Sequence, residues 1–223
     1  MKTQLKFIAV AALAAVAVPA AMAQSAGTFM TRFGISTISP QVTSGDLSAP
    51  SLPNSKTDVG SANQLSGGLT YMYSDNIAID LPLALPFKHK IYGAGSLSGL
   101  GEIGEVRALP ITLSAQYRFM EPSAQFRPYI GLGVTYAYFF NATGSAALTA
   151  TTNPGGPPTK ISIDPKFTLT PLIGATFAID KKWFLDAYYS SSKLSTTTHL
   201  STGQSVEVAL DPVSYGLAVG YKF

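Results

Sequence analysis

The chain has 223 residues, of which 46% are hydrophobic and only 12% are charged. This length fits one β-rich domain or two small ones, and the 20 glycines and 15 prolines argue against long helices. There is no cysteine, which excludes disulfides and a thiolate metal site.

The first 23 residues have the pattern of a bacterial secretory signal peptide. Two lysines make a basic start, residues 7–18 are apolar, and Ala-Met-Ala at 21–23 is a small-x-small cleavage site. We therefore predict a signal peptide at 1–23 and a mature chain that starts near Gln24. Loss of both lysines leaves 13 of the 15 basic residues against 12 acidic ones, so the net charge falls from +3 to +1. The basic pI therefore does not indicate a nucleic-acid partner.

The mature chain contains eight segments in which large apolar residues alternate with small or polar ones. A period of two is typical of a half-buried strand, and no apolar run reaches the roughly 18 residues of a spanning helix. An exported chain that is this apolar and lacks disulfides points towards a membrane β-barrel. In chain order the predicted strands are 29–36, 65–74, 77–85, 108–119, 129–140, 167–179, 183–190 and 215–223.

Short and long connections differ in composition and fall into two sets. The short links lie at 74–76, 120–127 and 180–182, and the long ones, rich in Gly, Ser, Thr and Pro, lie at roughly 39–63, 87–105, 141–165 and 195–206. This asymmetry is typical of outer-membrane barrels, which have short periplasmic turns and long extracellular loops. We predict an all-β fold for residues 24–223: an eight-stranded, antiparallel, up-and-down transmembrane β-barrel.

The alternation leaves open which face meets lipid, because a soluble barrel also alternates, with its apolar face inward. Bulky Leu, Ile, Phe and Tyr side chains recur on one face of all eight segments, and they would overfill a small interior. The opposite face carries mostly Gly, Ala, Ser and Thr, which fit a narrow lumen. We therefore predict that the bulky face is outward, with a secreted soluble barrel or sandwich as the alternative.

Polar residues of the predicted strands share the inward face. A basic residue facing lipid at mid-bilayer costs about 2–4 kcal/mol, which supports the chosen orientation. We interpret these residues as a lumenal polar network that either closes the barrel floor or serves transport: Arg32, Asp80, Gln116, Arg118 and Asp186.

Several sequence blocks resemble the OmpW family of outer-membrane proteins. They are "LALPFKHKI" (83–91), "LPITLSAQYRF" (109–119), "RPYIGLGVTYAYFF" (127–140), "DKKWFLDAYYSSSKLSTT" (180–197) and "LDPVSYGLAVGYKF" (210–223). The resemblance spans nearly the whole mature chain, and its departures lie mainly in the loops. It implies an eight-stranded barrel with a narrow, mainly hydrophobic upper lumen. The implied role is passive uptake of small hydrophobic molecules, with sideways exit through the barrel wall.

The inward parity of the strands gives candidate residues for the lumen and ligand path. They are small or weakly polar, unlike the charged constriction of an ion-selective pore: Met72, Ala84, Thr112, Thr135, Ala137, Phe139, Thr170 and Leu172.

Prolines give candidate residues for a lateral opening. Proline cannot donate to a strand ladder, so Pro86, Pro110 and Pro212 mark places where the wall can open. The alternative is that the strands simply end or bulge there. At the other end of the barrel, Tyr221 and Phe223 are interpreted as an assembly signal for the outer-membrane insertion machinery.

No catalytic, cofactor or metal site is predicted, because neither His89 nor His199 is tied by any pattern to a serine and a carboxylate. The chain is therefore not expected to be an enzyme. Expected partners are outer-membrane lipid and lipopolysaccharide, the barrel assembly machinery and a small hydrophobic ligand, with the oligomeric state left open. Two alternative functions remain: a sealed structural or receptor barrel whose loops bind a partner, and a small ion-conducting porin.

Overall fold

A computed structural model describes residues 24–223, so the predicted signal peptide at 1–23 lies outside the described residues. The described chain consists mainly of antiparallel strands. A 3-10 turn spans Ser98–Leu100, and a short helix, α1, spans Ala146–Thr152. The strands are β1 (Phe29–Ser39), β2 (Thr43–Ser44), β3 (Ser55–Val59), β4 (Ala62–Met72), β5 (Ile77–Ala84), β6 (Phe87–Gly95), β7 (Glu102–Arg118), β8 (Phe126–Gly144), β9 (Ile161–Ile163), β10 (Lys166–Ala178), β11 (Trp183–Ser191), β12 (Ser195–Leu200), β13 (Ser205–Ala209) and β14 (Val213–Lys222).

Eight of these strands close into a barrel. Around the wall the order is β1, β4, β5, β7, β8, β10, β11 and β14, and β14 pairs again with β1. The closing pair runs from Met30 opposite Lys222 to Ser39 opposite Val213. Closure removes the unpaired edges that lipid cannot satisfy with hydrogen bonds. The predicted eight-stranded antiparallel barrel is confirmed.

Large apolar side chains cover the outside of the wall. The exposed fractions of Phe33, Phe167 and Leu217 are 66%, 73% and 66%. The polar side chains of Asp80 and Asp186, by contrast, are buried inside the barrel. The protein itself covers little of these apolar side chains, so they are stable in the hydrocarbon of a membrane rather than in water. This agrees with the predicted outward orientation of the apolar face.

Aromatic side chains lie near both ends of the wall. At the short-turn end, the Trp183 ring lies 5.0 Å from the Tyr221 ring, which lies 5.1 Å from the Phe223 ring. Towards the other end, the rings of Tyr136 and Phe167 lie 4.7 Å apart. Two such belts are typical of the interfacial girdles of outer-membrane barrels.

The four long connections differ from the prediction, because much of their length is strand. Beyond the wall β3 pairs with β6, and β2, β13, β12 and β9 form a second, four-stranded sheet. Their Ser- and Thr-rich composition looks like that of a loop, but Thr also fits strands well. The signal for strand is alternation, as in Val206 and Val208, which are both buried.

Buried apolar clusters occupy two levels of the described molecule. The upper cluster contains Ile91, Ile103, Val106, Leu148 and Leu200. The lower cluster contains Met30, Met72, Ala78 and Phe184. Within residues 24–223, no helix has the length and apolar character needed to cross a membrane.

Candidate functional site: a two-chambered lumen above a polar floor

The upper part of the molecule encloses a chamber with almost entirely apolar walls. The upper cluster forms one side, and side chains such as Leu47, Phe139 and Leu194 complete the lining. The chamber has a volume of about 1090 Å³, including the space at its open mouth. Apolar walls of this kind favour binding of hydrophobic molecules over ions.

A second chamber lies beneath the first. The two share lining residues, among them Ile38, Pro110 and Leu194, so they meet at the level where the wall strands pass into the upper sheet. The lower chamber is also about 1090 Å³, counted in the same way. Its walls are more polar, and the side chains of Arg32 and Asp80 lie at its lower end.

Hydroxyl groups on adjacent strands form a connected row in the lower chamber. The Oγ1 atoms of Thr112 and Thr135 lie 2.8 Å apart, those of Thr135 and Thr170 lie 2.7 Å apart, and Thr170 Oγ1 lies 2.8 Å from Ser192 Oγ. Because these hydroxyls bond to one another, much of their hydrogen-bonding capacity is already used. The row therefore leaves the chamber only weakly polar.

A buried ion pair forms the centre of the floor. Arg32 donates to both carboxylate oxygens of Asp80, at 2.6 and 2.9 Å. Thr70 Oγ1 also donates to Asp80, at 2.5 Å. On the other side, Arg32 Nε lies 3.7 Å from Asp186 Oδ2. Gly68 makes room for this arrangement, because a Cβ at its position would lie 2.8 Å from Arg32 Cζ.

Tyr129 joins the ion pair to a second arginine. Its hydroxyl donates to Asp186 Oδ1 at 3.0 Å, and Arg118 Cζ lies 4.7 Å from its ring centroid. The Tyr129 side chain fits because residue 174 is a glycine: a Cβ there would lie 2.4 Å from the Tyr129 hydroxyl. Arg118 in turn donates to Gln116 Oε1 at 2.9 Å.

The N-terminal end of the described chain completes the floor. Gln24 Oε1 accepts a hydrogen bond from Arg118 at 2.9 Å, and Gln24 Nε2 donates to Thr176 Oγ1 at 2.9 Å. Arg127, which is fully buried, donates to the Gln24 carbonyl at 2.7 Å and to the Asp75 carbonyl at 2.6 Å. These bonds tie the start of the described chain across the lower barrel.

The structure thus brings together all five residues of the predicted polar network, and it adds three that the sequence interpretation missed. Arg127 and Tyr129 share a face of β8, so extending the predicted strand by two residues would have included Arg127. Tyr129 itself was placed on the inward face but was given no role. Gln24 carries no signal in the sequence, because it lies outside every predicted strand.

One stretch of the wall lacks backbone pairing in the described structure. Strand β5 pairs with β7 only as far as Asp80 opposite Ser114, and pairing resumes in β6 with Phe87 opposite Ala108. Between these points, six residues (81–86) face five (109–113). The register therefore shifts by one, and this stretch is called the wall gap below.

Prolines occupy positions in the wall gap at which the backbone N–H of any other residue would point towards the opposite strand. Backbone N–H groups alternate between the two neighbouring strands of an antiparallel sheet. Leu85 N–H bonds to β4, so position 82 faces β7, and Arg118 N–H bonds towards β5, so position 110 faces β5. These positions are Pro82 and Pro110, which have no N–H to donate. Pro86 lies at the register shift, and its carbonyl points to β4, where it accepts a bond from Gln64 Nε2 at 3.2 Å. The two missing donors contribute to the break in the ladder here.

A second break, between β10 and the end of β11, differs because side chains bridge it. Backbone pairing stops at Leu172 opposite Ser190. Beyond that point Thr170 and Ser192 share a hydroxyl contact, and Thr168 Oγ1 donates to the Lys193 carbonyl at 2.7 Å. Among the described residues, no side-chain hydrogen bond links 81–86 to 109–113, so the wall gap lacks such bridges.

Two predicted site residues lie elsewhere than expected. Pro212 is not at the wall gap: the Ser192 N–H donates to its carbonyl at 3.0 Å, and Ser39 still pairs with Val213, so strand contacts continue on both sides. Met72 lines neither chamber, because it packs in the lower cluster among the floor residues. The other predicted lumen residues line the chambers: Ala84, Thr112, Thr135, Ala137, Phe139, Thr170 and Leu172.

Comparisons with known proteins agree with this architecture. The model of the OmpW family matches residues 25–223. Outer membrane protein W of Vibrio cholerae serotype O1 is 34% identical over 221 residues, which cover 96% of each chain. The crystal structure of OprG from Pseudomonas aeruginosa superposes with a TM-score of 0.82 at 27% identity, covering 91% of this chain and 98% of OprG. The structure of AlkL in lipid bilayers gives a TM-score of 0.67 at 26% identity, covering 89% and 91%.

The closed wall, its apolar exterior and these relatives define an outer-membrane β-barrel. The connected chambers and the homologous barrels support a transport role. More specifically, the chain belongs to the OmpW family.

Proposed function

We propose that the barrel takes up small hydrophobic molecules from outside the cell and releases them sideways into the outer membrane. The observation that carries this proposal is a continuous path that leads from the upper chamber through the lower chamber to the wall gap. Pro110 lines both chambers, and Pro82 and Ala84 line the lower one, so the lower chamber reaches the wall where backbone pairing is missing. A molecule in the lower chamber is therefore beside the wall gap.

The floor favours sideways exit over passage into the periplasm. Arg32, Arg118 and Arg127 are bonded within the floor, and the lower cluster packs beside them. An apolar molecule would have to displace buried ion pairs to continue downward, which costs several kcal/mol for each separated charge. The same packing argues against free flow of ions.

The test restores hydrogen-bond donors across the wall gap. In Pro82→Val and Pro110→Val, each valine supplies an N–H that points across the gap and closes the ladder. A hydrogen bond contributes about 1 kcal/mol, so each substitution should lower n-octane uptake by about fivefold if exit requires an open gap. Uptake is measured in cells with equal amounts of folded barrel in the outer membrane, with cells lacking the protein as the baseline.

Pro212→Val is the matched control, because this proline lies where strand contacts continue on both sides. It should leave octane uptake unchanged. Equal uptake in all three variants and the wild type would disprove the lateral route. Equal uptake in cells with and without the wild-type barrel would disprove hydrophobic transport itself.

A further inference from the structure

His89 is a polar side chain in the otherwise apolar wall of the upper chamber. It lies on β6, where Phe87, His89 and Ile91 face inward and are buried, while Lys88 and Lys90 face outward and are exposed. The His89 residue is only 4% exposed, and its ring contributes to the chamber lining. Burying a polar ring in this position is costly unless its nitrogens find partners.

Within residues 24–223, one ring nitrogen of His89 has a protein partner and the other does not. Nδ1 lies 2.8 Å from the Gly60 carbonyl oxygen, and since a carbonyl can only accept, Nδ1 carries the hydrogen. In the neutral ring Nε2 is then an acceptor. The side-chain nitrogen and oxygen atoms of residues 24–223 that are both fully buried and unpaired are Arg118 Nε and Asp186 Oδ2. Nε2 is also unpaired but is not among them, so it is not fully buried. It is therefore open to the chamber that the His89 ring lines.

Among the described lining residues, the hydroxyl-bearing side chains are those of Thr57, Thr196 and Thr198, and none of these has a ring nitrogen. The Thr196 hydroxyl donates to the Asp164 carbonyl at 2.6 Å, and Thr57 Oγ1 lies 3.5 Å from Ser44 Oγ. Apolar side chains such as Ile91 and Val106 make up most of the surrounding surface. The chamber therefore combines a large apolar surface with a fixed acceptor, an arrangement that recognises ligand orientation.

We propose that the upper chamber selects hydrophobic molecules that carry one hydrogen-bond donor, such as medium-chain alcohols or phenols, with His89 Nε2 accepting that hydrogen bond. This inference rests on the proposed function and specifies the class of molecule that the chamber prefers. A purely apolar molecule still binds, but it leaves Nε2 unpaired. A molecule that carries only an acceptor gains nothing from the neutral ring.

The test compares two ligands that differ at one oxygen, where a methyl group replaces the hydroxyl hydrogen. Purified barrel in lipid nanodiscs is titrated with 1-octanol and with 1-methoxyoctane, each displacing a fluorescent apolar probe. In His89→Phe, which keeps an aromatic ring, the ratio of octanol affinity to ether affinity should fall about fivefold, the equivalent of one neutral hydrogen bond. His89→Leu should give the same fall, and His89→Gln should keep most of the wild-type ratio because its amide supplies both a donor and an acceptor.

Tyr92→Phe is the matched control, because it removes a polar atom from the outward face of the same strand, outside the chamber lining. It should keep the wild-type ratio. An unchanged ratio in both apolar variants would overturn the role of His89 while leaving hydrophobic transport intact. Failure of the wild-type barrel to bind either ligand would overturn the inference, and octane uptake in cells would then show whether the proposed function fails as well.

Discussion

Asp80→Asn tests whether the floor is held by the buried ion pair. Asp80 is 1% exposed and accepts two hydrogen bonds from Arg32 and one from Thr70. Removing one partner of a buried ion pair costs about 3–5 kcal/mol. Because Arg32 keeps a second carboxylate, Asp186, at 3.7 Å, we expect a loss near the lower end, about 3 kcal/mol.

Asp186→Asn should destabilise the barrel less than Asp80→Asn. Its Oδ2 atom accepts no hydrogen bond among the described residues, so its attraction to Arg32 acts over 3.7 Å without a direct bond. Its Oδ1 atom accepts a bond from the Tyr129 hydroxyl, which an amide oxygen can still accept. The order of the two losses therefore follows from the hydrogen-bond geometry.

The exposed pair of Lys193 and Asp211 provides the control. Its nitrogen–oxygen distance is 2.5 Å, as short as any in the floor, but the side chains of Lys193 and Asp211 are 90% and 25% exposed. Asp211 also accepts a bond from the Leu194 N–H, which an asparagine oxygen can still accept. An exposed pair contributes at most about 1 kcal/mol, so Asp211→Asn should have little effect. Comparing the two substitutions separates the effect of burial from that of distance.

The free energy of unfolding can be measured by urea titration of the barrel in lipid vesicles. Trp183 is the only tryptophan of the chain and lies on the outer face near the short turns, so its fluorescence reports loss of the lipid-facing wall. Equal losses for Asp80→Asn and Asp211→Asn would refute the argument that burial makes the floor pair important.

Two further predictions concern the ends of the described chain. Gln24→Ala removes the side-chain links to Arg118 and Thr176, so ion conductance in planar bilayers should rise above that of the wild type. The control Gln125→Ala, at an exposed position, should not change the conductance. Unchanged conductance in both variants would contradict the role of Gln24 in closing the floor. Deletion of Phe223 removes its N–H bond to the Phe29 carbonyl, at 2.8 Å, and its ring contact with Tyr221, so less folded barrel should reach the outer membrane, with octane uptake per folded barrel unchanged. A normal membrane level of the deletion variant would contradict the assembly role.

Local alternation in the sequence determined the barrel and its orientation. A residue's parity within its strand decides which face it occupies, so the inward positions of Arg32, Asp80 and Asp186 could be read without knowing any partner strand. The outward apolar faces and the aromatic C-terminal end follow from the same local rule. Cross-strand register is not local, because it depends on segments far apart in the chain.

Only the tertiary structure decided which of these residues act together. The wall gap combines a one-residue shift between 81–86 and 109–113 with prolines that face it, and its position in the wall separates Pro86 and Pro110 from Pro212. The choice of Asp80 as the bidentate partner of Arg32 likewise depends on the pairing of three strands. Gln24 reaches the floor through contacts more than 90 positions away, with Arg118 and Arg127. The sequence determined the faces of the wall because they depend on neighbouring residues along the chain. The lumen, its floor and its opening depend instead on residues of other strands that only the folded barrel brings together.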